Sequence, residues 1–310
     1  MKKKNIYGAI DIGSYNCRLL IVEKSGTNRK VLNNSSVPTN LIKNLSYNNE
    51  FNKNNISKTL KCLHNYSNKL KDFDVIDYRC IATEACRSVT NPDYFLENVE
   101  EQTGLKVEII SSYEEARLSL KSSERYVAAI NDDGFIFDIG GGSTELTFFK
   151  LNSLDYKTKS IAYGVINLSE KKEIFNAKYV ENHLERHFNQ FKQLFKNNNH
   201  KFMTIGSCST VTSICSVFLN LSYYDPSKIE GCEMKFRDID NTIKYIEKMS
   251  IPKMIRHPCI GDKYELLNNG IQILKKIMKI IPIKNIIVTQ KSLRDAIINE
   301  ISERHEKKHT

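Results

Sequence analysis

The sequence carries the same short pattern twice, and both copies hold residue types that can bind phosphate. Asp11-Ile12-Gly13-Ser14 and Asp138-Ile139-Gly140-Gly141-Gly142-Ser143-Thr144 each follow an apolar run. Glycines let backbone N–H groups approach phosphate oxygens closely, and an aspartate at the end of a strand can hold a hydrated magnesium ion. One such turn occurs in many hairpins, whereas two at corresponding places predict a pair of phosphate-binding loops with magnesium.

A third candidate loop is Gly206-Ser207-Cys208-Ser209-Thr210. It follows an apolar segment and precedes the apolar run from Val211 to Phe218, so its amides are expected at a helix N-terminus, where anions bind. Capping of that helix by Ser209 or Thr210 explains the same residues without a ligand. Both interpretations stay open at this point.

These loops need strands and helices to position them. Residues 5–12 and 18–24 have the pattern of two strands around a tight turn, and apolar residues from Ile56 to Leu70 then recur at helical spacing. Further strands are predicted at 75–83, at 105–110 and up to Ile205, and a second hairpin from Phe135. The charged tail from Glu300 is predicted to be a helix that could pack back on the first domain.

An internal repeat sets the domain organisation. Residues 10–22 align without a gap on residues 137–149, which lie 127 positions later. A duplicated domain is the simplest explanation, so we predict an α/β protein with one domain over 1–123, a second over 124–310 and a substrate cleft between them.

Composition limits the class of protein. The net charge of +10 favours polyanionic partners, but its spread along the chain and the lack of a nucleic-acid motif predict no specific nucleic-acid binding. We expect no signal peptide and no membrane span. The eight cysteines show no CxxC pair, which predicts reduced thiols in a cytoplasmic protein without structural zinc. His183 and His187 lie one helical turn apart, but the absence of a third ligand favours a surface helix.

Nearly the whole chain resembles the exopolyphosphatase and guanosine pentaphosphate phosphatase family, within the actin-like (ribonuclease H-like) superfold. The matching elements occur in order, and the EEAR element separates this family from sugar kinases, actin and chaperone ATPases. They are AIDIGSYNCRLL (9–20), IATEACR (81–87), IISSYEEARLSL (109–120), FDIGGGSTEL (137–146), YGVINLSE (163–170) and IGSCSTVTS (205–213). The resemblance implies two related domains with mixed sheets, in a form without the added C-terminal helical domain of longer members.

The resemblance also implies roles for particular residues. Glu115 takes the position of the catalytic carboxylate that orients or deprotonates water, and Asp138 and Glu145 take positions at the metal and the attacking water. Asp11 is expected to hold Mg²⁺ from the other domain, and Arg87 to face the phosphates. The residues expected to bind substrate phosphate are Gly13, Ser14, Asn16, Arg87, Gly140, Gly141, Gly142, Ser143, Thr144, Gly206, Ser207 and Thr210.

Two of these roles have alternatives that the sequence leaves open. Ser112 and Glu115 have the spacing of a capping box, in which Glu115 would only stabilise a helix start. Arg87 could be a surface arginine. Tyr15 and Ser209 depart from the family pattern, with Tyr15 in place of an asparagine and Ser209 in place of a glycine, and they affect the first and third loops.

The expected reaction is hydrolysis of the terminal phosphoanhydride of inorganic polyphosphate, guanosine pentaphosphate or both, by a cytoplasmic homodimer with Mg²⁺. One alternative is a sensor that binds guanosine tetra- or pentaphosphate without turnover. Another is an actin-like ATPase or kinase, against which the EEAR element argues.

Overall fold

Strands and helices follow the apolar pattern of the sequence over most of its length. The computed structural model describes residues 5–26, 28–45, 49–130, 133–150, 156–168, 178, 182, 185, 186, 189 and 202–308. These residues form two compact units. The first holds residues up to Ser122 together with those from Lys291, and the second runs from Ser123 to Gln290.

The strands of the described residues belong to two sheets. They are β1 (Ile6–Ile12), β2 (Asn16–Ser25), β3 (Asn28–Pro38), β4 (Asp77–Ala82), β5 (Val107–Ile109), β6 (Gly134–Ile139), β7 (Thr144–Phe149), β8 (Tyr156–Ile161), β9 (Phe202–Gly206), β10 (Glu233–Lys235) and β11 (Ile283–Val288).

The helices of the described residues are shared between the two units. They are α1 (Lys53–Asp72), α2 (Glu84–Arg87), α3 (Pro92–Thr103), α4 (Ser112–Ser122), α5 (Glu124–Ala129), α6 (Ser209–Phe218), α7 (Pro226–Ile229), α8 (Phe236–Glu247), α9 (Ile251–Arg256), α10 (Tyr264–Ile280) and α11 (Leu293–Lys308). A short 3₁₀ helix covers Gly261–Lys263.

The two sheets repeat one topology. The first has the order β3-β2-β1-β4-β5, and the second has β8-β7-β6-β9-β11 with β10 added at the edge. In each sheet the first three strands pair antiparallel, and the strands that follow pair parallel to the first. The prediction of two related α/β domains with mixed sheets is therefore confirmed at the level of strand order.

The first sheet is buried on both faces, and the alternation along β1 decides which side chains meet which helices. Ile10 and Ile12 belong to a cluster with Leu63 of α1 and Phe95 of α3. Tyr7 and Ala9 point the other way, to a cluster with Leu118 of α4 and Ile297 of α11. Because alternate residues share a face, Asp11 lies on the face that α4 and α11 cover.

The C-terminal segment belongs to the first unit because its apolar residues complete that second cluster. Ile297, Ile298 and Ile301 of α11 are buried beside β1 and β2. The sequence-based division assigned residues 124–310 to one domain, with the note that the last helix could pack back. The described helix begins at Leu293, before the charged tail on which that expectation was based.

The sequence patterns missed two strands, and one predicted segment lies mostly outside the described residues. The third strand of each antiparallel set, β3 and β8, was not predicted. The amphipathic stretch from Lys178 to Phe195 lies outside the described residues except for positions 178, 182, 185, 186 and 189, and His183 and His187 also lie outside them. In the described part of the chain, no helix combines the length and apolarity needed to span a membrane.

Candidate active site

The first loop joins β1 to β2 in the first unit. The N–H of Gly13 donates to the carbonyl of Asn16 at 3.0 Å and closes the turn. A Cβ atom at Gly13 would lie 3.1 Å from that carbonyl oxygen, so glycine suits the tight turn. The carbonyl of Tyr15 accepts from the N–H groups of Thr39 and Asn40 at 2.9 and 3.0 Å. Backbone hydrogen bonds therefore fix the shape of the first loop. Ser14 is buried, and Asn16 is the first residue of β2.

Asp11 is buried at the end of β1 and already has a cationic neighbour. It pairs across the sheet with Arg18, whose Nη1 lies 3.5 Å from the Asp11 Oδ2. The Arg18 side chain is 37% exposed, so the pair is open to solvent on one side. A magnesium ion at Asp11, as predicted, would share this carboxylate with Arg18.

Glu115 lies on the first turn of α4, but the alternative of a capping box with Ser112 is wrong. The hydroxyl of Ser111, not of Ser112, accepts from the backbone N–H of Glu114 at 3.1 Å. The N-cap is therefore one residue earlier than the capping-box alternative requires, and it bonds the residue before Glu115. The alternative in which Glu115 serves only as the partner of a Ser112 cap loses its basis.

Glu114 and Glu115 are neighbours in sequence with different surroundings. Glu114 accepts hydrogen bonds from Arg79 at 3.2 Å and from Arg117 at 2.7 and 2.9 Å. Hydrogen bonding by Arg117, against the effect of burial, holds the pKa of Glu114 below its ordinary value. Arg117 also bonds Glu300 of α11, which ties α4 to the C-terminal helix. The Glu115 carboxylate instead meets Arg87 at 2.8 Å.

The second loop joins β6 to β7 in the second unit and repeats the first turn. The N–H of Gly140 donates to the carbonyl of Ser143 at 2.9 Å, the equivalent of the Gly13 bond. The next two carbonyls are held as well: that of Gly140 accepts from Val165 and that of Gly141 from Ile166, each at 2.9 Å.

The carbonyl of Gly142 is held by a side chain. Asn167 Nδ2 donates to it at 2.6 Å, and Asn167 Oδ1 accepts from the N–H of Gly164 at 2.7 Å. In a planar trans peptide the C=O and the following N–H point in opposite directions. With three successive carbonyls turned toward residues 164–167, the N–H groups of Gly141, Gly142 and Ser143 turn away from that segment. None of these three N–H groups has an acceptor within the described part of the chain. Such a row of amides is a nest for an anion.

Gly164 and Asn167 hold the backbone of the second loop, and neither was predicted to do so from the sequence. A Cβ atom at Gly164 would lie 2.3 Å from the carbonyl carbon of Gly141, a distance that only glycine permits. Both residues belong to the YGVINLSE element. A single sequence does not show whether a glycine is needed for a turn or, as here, for close contact with another backbone segment.

Asp138 and Glu145 form a cross-strand pair directly beside the second loop. They are register partners on β6 and β7, so their side chains leave the same face of the sheet. Glu145 is buried, and its Oε1 accepts from the hydroxyls of Ser143 at 2.5 Å and Ser160 at 2.9 Å. In the first unit the equivalent pair is Asp11 with Arg18. The second unit thus has two carboxylates at the positions where the first unit has a carboxylate and a guanidinium group.

Two neighbouring carboxylates fit a small divalent cation. Among the described residues, no group of three or more His, Cys, Asp or Glu side chains is close enough to hold a metal ion. Mg²⁺ binds through one or two carboxylates, keeps several waters and takes substrate phosphates as further ligands. The Asp138–Glu145 pair matches that requirement.

The third loop lies at the end of β9, next to the second one. The N–H of Ser207 donates to the carbonyl of Phe137 at 3.3 Å, and a Cβ atom at Gly206 would lie 2.8 Å from the Phe137 ring. The alternative in which Ser209 or Thr210 only caps α6 is wrong, because the N-cap residue of α6 is Cys208 and it makes no side-chain cap bond.

Two side chains of this loop, those of Cys208 and Thr210, face inward, whereas Ser209 is exposed. Thr210 is buried, and its hydroxyl lies where a Cβ atom of Gly270 in α10 would be, so it packs against that helix. Cys208 is buried too, and burial raises the pKa of its thiol to about 12, with the charge of Asp138 acting in the same direction. Cys208 is therefore a poor nucleophile at neutral pH.

Comparison with known proteins decides the family. The model of the Ppx/GppA phosphatase family matches residues 20–305. The chain belongs to this family. The resemblance drawn from the sequence elements is thereby confirmed, and membership of a phosphatase family supports phosphohydrolase activity.

Relatives of this Ppx/GppA phosphatase family chain have the same fold. A crystal structure of the Aquifex aeolicus family member has a TM-score of 0.78 at 24% identity, with 97% of this chain and 99% of that chain covered. The structure of an exopolyphosphatase from Cytophaga hutchinsonii has a TM-score of 0.84 at 17% identity, with 97% and 98% covered. These likenesses establish the two-domain actin-like fold.

A curated relative is longer. The bifunctional 3-dehydroquinate synthase/phosphatase of Fusobacterium nucleatum is 29% identical in an alignment of 294 positions that covers 89% of this chain and 44% of that protein. The chain spans less than half the length of that relative.

Within this family member, the predicted site residues fall into two groups. The first unit holds Asp11, Gly13, Ser14, Asn16, Arg87 and Glu115. The second unit holds Asp138, Gly140, Gly141, Gly142, Ser143, Thr144, Glu145, Gly206, Ser207 and Thr210. Thr144 donates through its hydroxyl to the carbonyl of Tyr163 at 2.6 Å, so its side chain supports the loop.

Proposed function

We propose that the protein hydrolyses the terminal phosphoanhydride of inorganic polyphosphate, of guanosine pentaphosphate, or of both, and releases orthophosphate. The observation that carries this proposal is the second loop. Three successive carbonyls are turned toward residues 164–167, so three N–H groups are available to phosphate oxygens. Membership of the Ppx/GppA phosphatase family supports the reaction class.

Each of these residues has a separate role in the proposed hydrolysis. The amides of Gly141, Gly142 and Ser143 bind oxygens of the terminal phosphoryl group and hold it in place. Glu115 accepts a proton from the attacking water and orients that water. Glu145, fixed by the hydroxyls of Ser143 and Ser160, supplies a second oriented acceptor.

Mg²⁺ is the cofactor that the carboxylates favour. Asp138 and Glu145 would hold it in the second unit, and Asp11 in the first; when bound it would neutralise charge on the transferring oxygens. The fit is closer for Asp138 and Glu145, because Arg18 already neutralises Asp11 in part.

The cellular setting completes the proposal. All eight cysteines are free thiols, which supports a reducing compartment such as the cytoplasm. We take a homodimer as the working state, and sedimentation analysis of the purified protein tests it.

The deciding experiment measures phosphate release by the purified protein with magnesium and with a chelator. Long-chain polyphosphate, guanosine pentaphosphate and ATP are offered at equal phosphoanhydride concentration. We expect magnesium-dependent turnover of one or both of the first two substrates. The Glu115→Gln variant should lose turnover and keep binding, because the amide has the same shape without the charged acceptor.

A matched control is Glu108→Gln, which removes the same charge from the neighbouring strand, where Glu108 bonds Arg79 and is 56% exposed. It should hydrolyse at the wild-type rate. Binding of a guanosine polyphosphate without turnover of any substrate would show a sensor instead. Turnover of ATP alone would show an ATPase.

A further inference from the structure

Arg87 of α2 lies between two carboxylates in the first unit. Its Nη2 donates to Glu115 at 2.8 Å and to Glu84 at 3.1 Å, and its Nε donates to the same Glu84 oxygen at 3.2 Å. Its Nη1 donates to the backbone carbonyl of Ile110 at 2.7 Å. The side chains of Glu84, Arg87 and Glu115 are 20%, 19% and 12% exposed, so the cluster is largely shielded from water.

The donors of Arg87 are nearly all used by this cluster. A guanidinium group has five N–H bonds in one plane. Four hydrogen bonds to protein acceptors engage all three of its nitrogens. A phosphate could be gripped in the two-pronged manner of arginine only if these bonds were broken first.

The net charge of the cluster also argues against a contact between Arg87 and substrate phosphate. Two carboxylates and one guanidinium leave a net negative charge, which repels an anionic substrate. Desolvation lowers the pKa of Arg87, but the carboxylates of Glu115 and Glu84 outweigh it and raise this pKa overall, so the guanidinium stays charged. Its charge is matched by protein groups.

Arg87 connects Glu84 on its own helix to Glu115 on α4. Glu84 and Arg87 lie on the same short helix, directly after β4, whereas Glu115 lies on α4. Arg87 is the link between the two helices, and Glu84 holds the guanidinium of that link through Nε and Nη2. A carboxylate held in this way keeps one orientation, as a group that must aim at a water molecule requires.

We propose that Glu84 and Arg87 are positioning residues for Glu115: Arg87 orients the Glu115 carboxylate, and Glu84 holds Arg87. This inference rests on the proposed function and replaces the expected contact between Arg87 and substrate phosphate. It gives Glu84 of the IATEACR element a role that the sequence analysis did not assign.

Steady-state kinetics separate positioning from phosphate binding. Glu84→Gln keeps the size of the side chain and loses its charge, so Arg87 is held less firmly and kcat should fall about tenfold, while KM stays within about twofold. Glu84→Asp, which keeps the charge, should recover part of the loss. Glu108→Gln, which removes one partner of another Glu–Arg pair, should leave both constants unchanged. Wild-type kinetics for Glu84→Gln would overturn the proposal.

Arg87→Lys provides a second variant in case Glu84→Gln does not fold, as judged by circular dichroism. Lysine keeps the charge and cannot bridge two carboxylates in one plane. We expect a lower kcat with an unchanged KM. A raised KM with the wild-type kcat would make Arg87 a phosphate ligand and refute the inference.

An NMR measurement tests the same point without turnover. The Nε–H signal of Arg87, assigned by its loss in Arg87→Lys, should not move when tripolyphosphate is added, and its hydrogen exchange should be faster in Glu84→Gln. A shift on addition of tripolyphosphate would refute the inference. If the wild type hydrolyses none of the three substrates, the proposed function fails, and this measurement still decides what Arg87 contacts.

Discussion

Replacement of Gly164 by alanine tests whether residues 164–167 hold the second loop in its anion-binding shape. The added Cβ atom would lie 2.3 Å from the carbonyl carbon of Gly141 and 2.5 Å from the carbonyl oxygen of Gly140, whereas ordinary contact begins at 3.4 Å. Both partners are backbone atoms, so no side-chain rotation relieves the clash. The loop must retreat by roughly 1 Å from residues 164–167.

This retreat breaks identifiable bonds. The hydrogen bonds from Val165 to Gly140 and from Ile166 to Gly141 measure 2.9 Å and would lengthen beyond bonding distance. Their loss removes about 2 kcal/mol of stability at roughly 1 kcal/mol each. Overpacking adds about 1–3 kcal/mol. We therefore expect a loss of about 3–5 kcal/mol, and a melting temperature lower by roughly 10 °C.

The activity should fall as well, because the displaced loop holds the proposed phosphate-binding amides. Displacement of a binding group by about 1 Å can lower a rate about a hundredfold, so kcat/KM for the preferred substrate should fall by that order. Phosphate release measured well below the melting temperature, with thermal unfolding followed by circular dichroism, checks both parts.

Gly261→Ala is the matched control in the same unit. Gly261 has φ of +59° and no atom within 4 Å of an added Cβ, so alanine there costs about 1–2 kcal/mol through backbone conformation alone. Its activity should stay at the wild-type level. If Gly164→Ala has the stability and kcat/KM of this control, the loop is not held as described, and the reasoning fails.

Three further predictions follow from single contacts. Asn167→Asp keeps the acceptor for Gly164 and puts an oxygen in place of the donor to Gly142, so KM should rise about tenfold and the stability should fall by about 1–3 kcal/mol, as substrate titrations and thermal unfolding would show. Glu114→Gln should destabilise the protein at pH 7 and much less near pH 3, as urea unfolding at both pH values would measure. Arg117 lowers the pKa of Glu114 in the folded state, so the charged carboxylate stabilises the fold above the ordinary pKa of 4.5, and this stabilisation is lost as the pH falls through the folded-state pKa. Cys208 should resist iodoacetamide at pH 8 in the folded protein and react once urea unfolds it, since its thiol is buried with a pKa of about 12; rapid labelling without urea would contradict this.

The repeat was the sequence feature with the greatest predictive reach. The ungapped match of residues 10–22 to 137–149 predicted equivalent hairpins, and the structure shows the same turn bond in both, from Gly13 to Asn16 and from Gly140 to Ser143. Such a turn is local: glycine conformations and neighbouring residues determine it, so a short stretch of sequence contains the necessary information.

The edge strands β3 and β8 show where pattern reading fails. β3 has the sequence NRKVLNNSSVP, in which asparagine and serine are common and no regular alternation occurs. Strands of this kind are stabilised by pairing with a neighbour, here β2, more than by their own residue preferences. The pairing partner lies outside the window that a pattern examines.

Sequence alone determined the residue types and their order: the paired aspartates, the glycine turns, the EEAR element and hence the family. Tertiary structure decided which of them touch. It separated Glu114, bonded to Arg79 and Arg117, from Glu115, bonded to Arg87. It also brought Asn167 to Gly142, 25 residues away. These contacts depend on how whole helices and strands pack, and one residue of shift in a helix start turns a different side chain toward the partner.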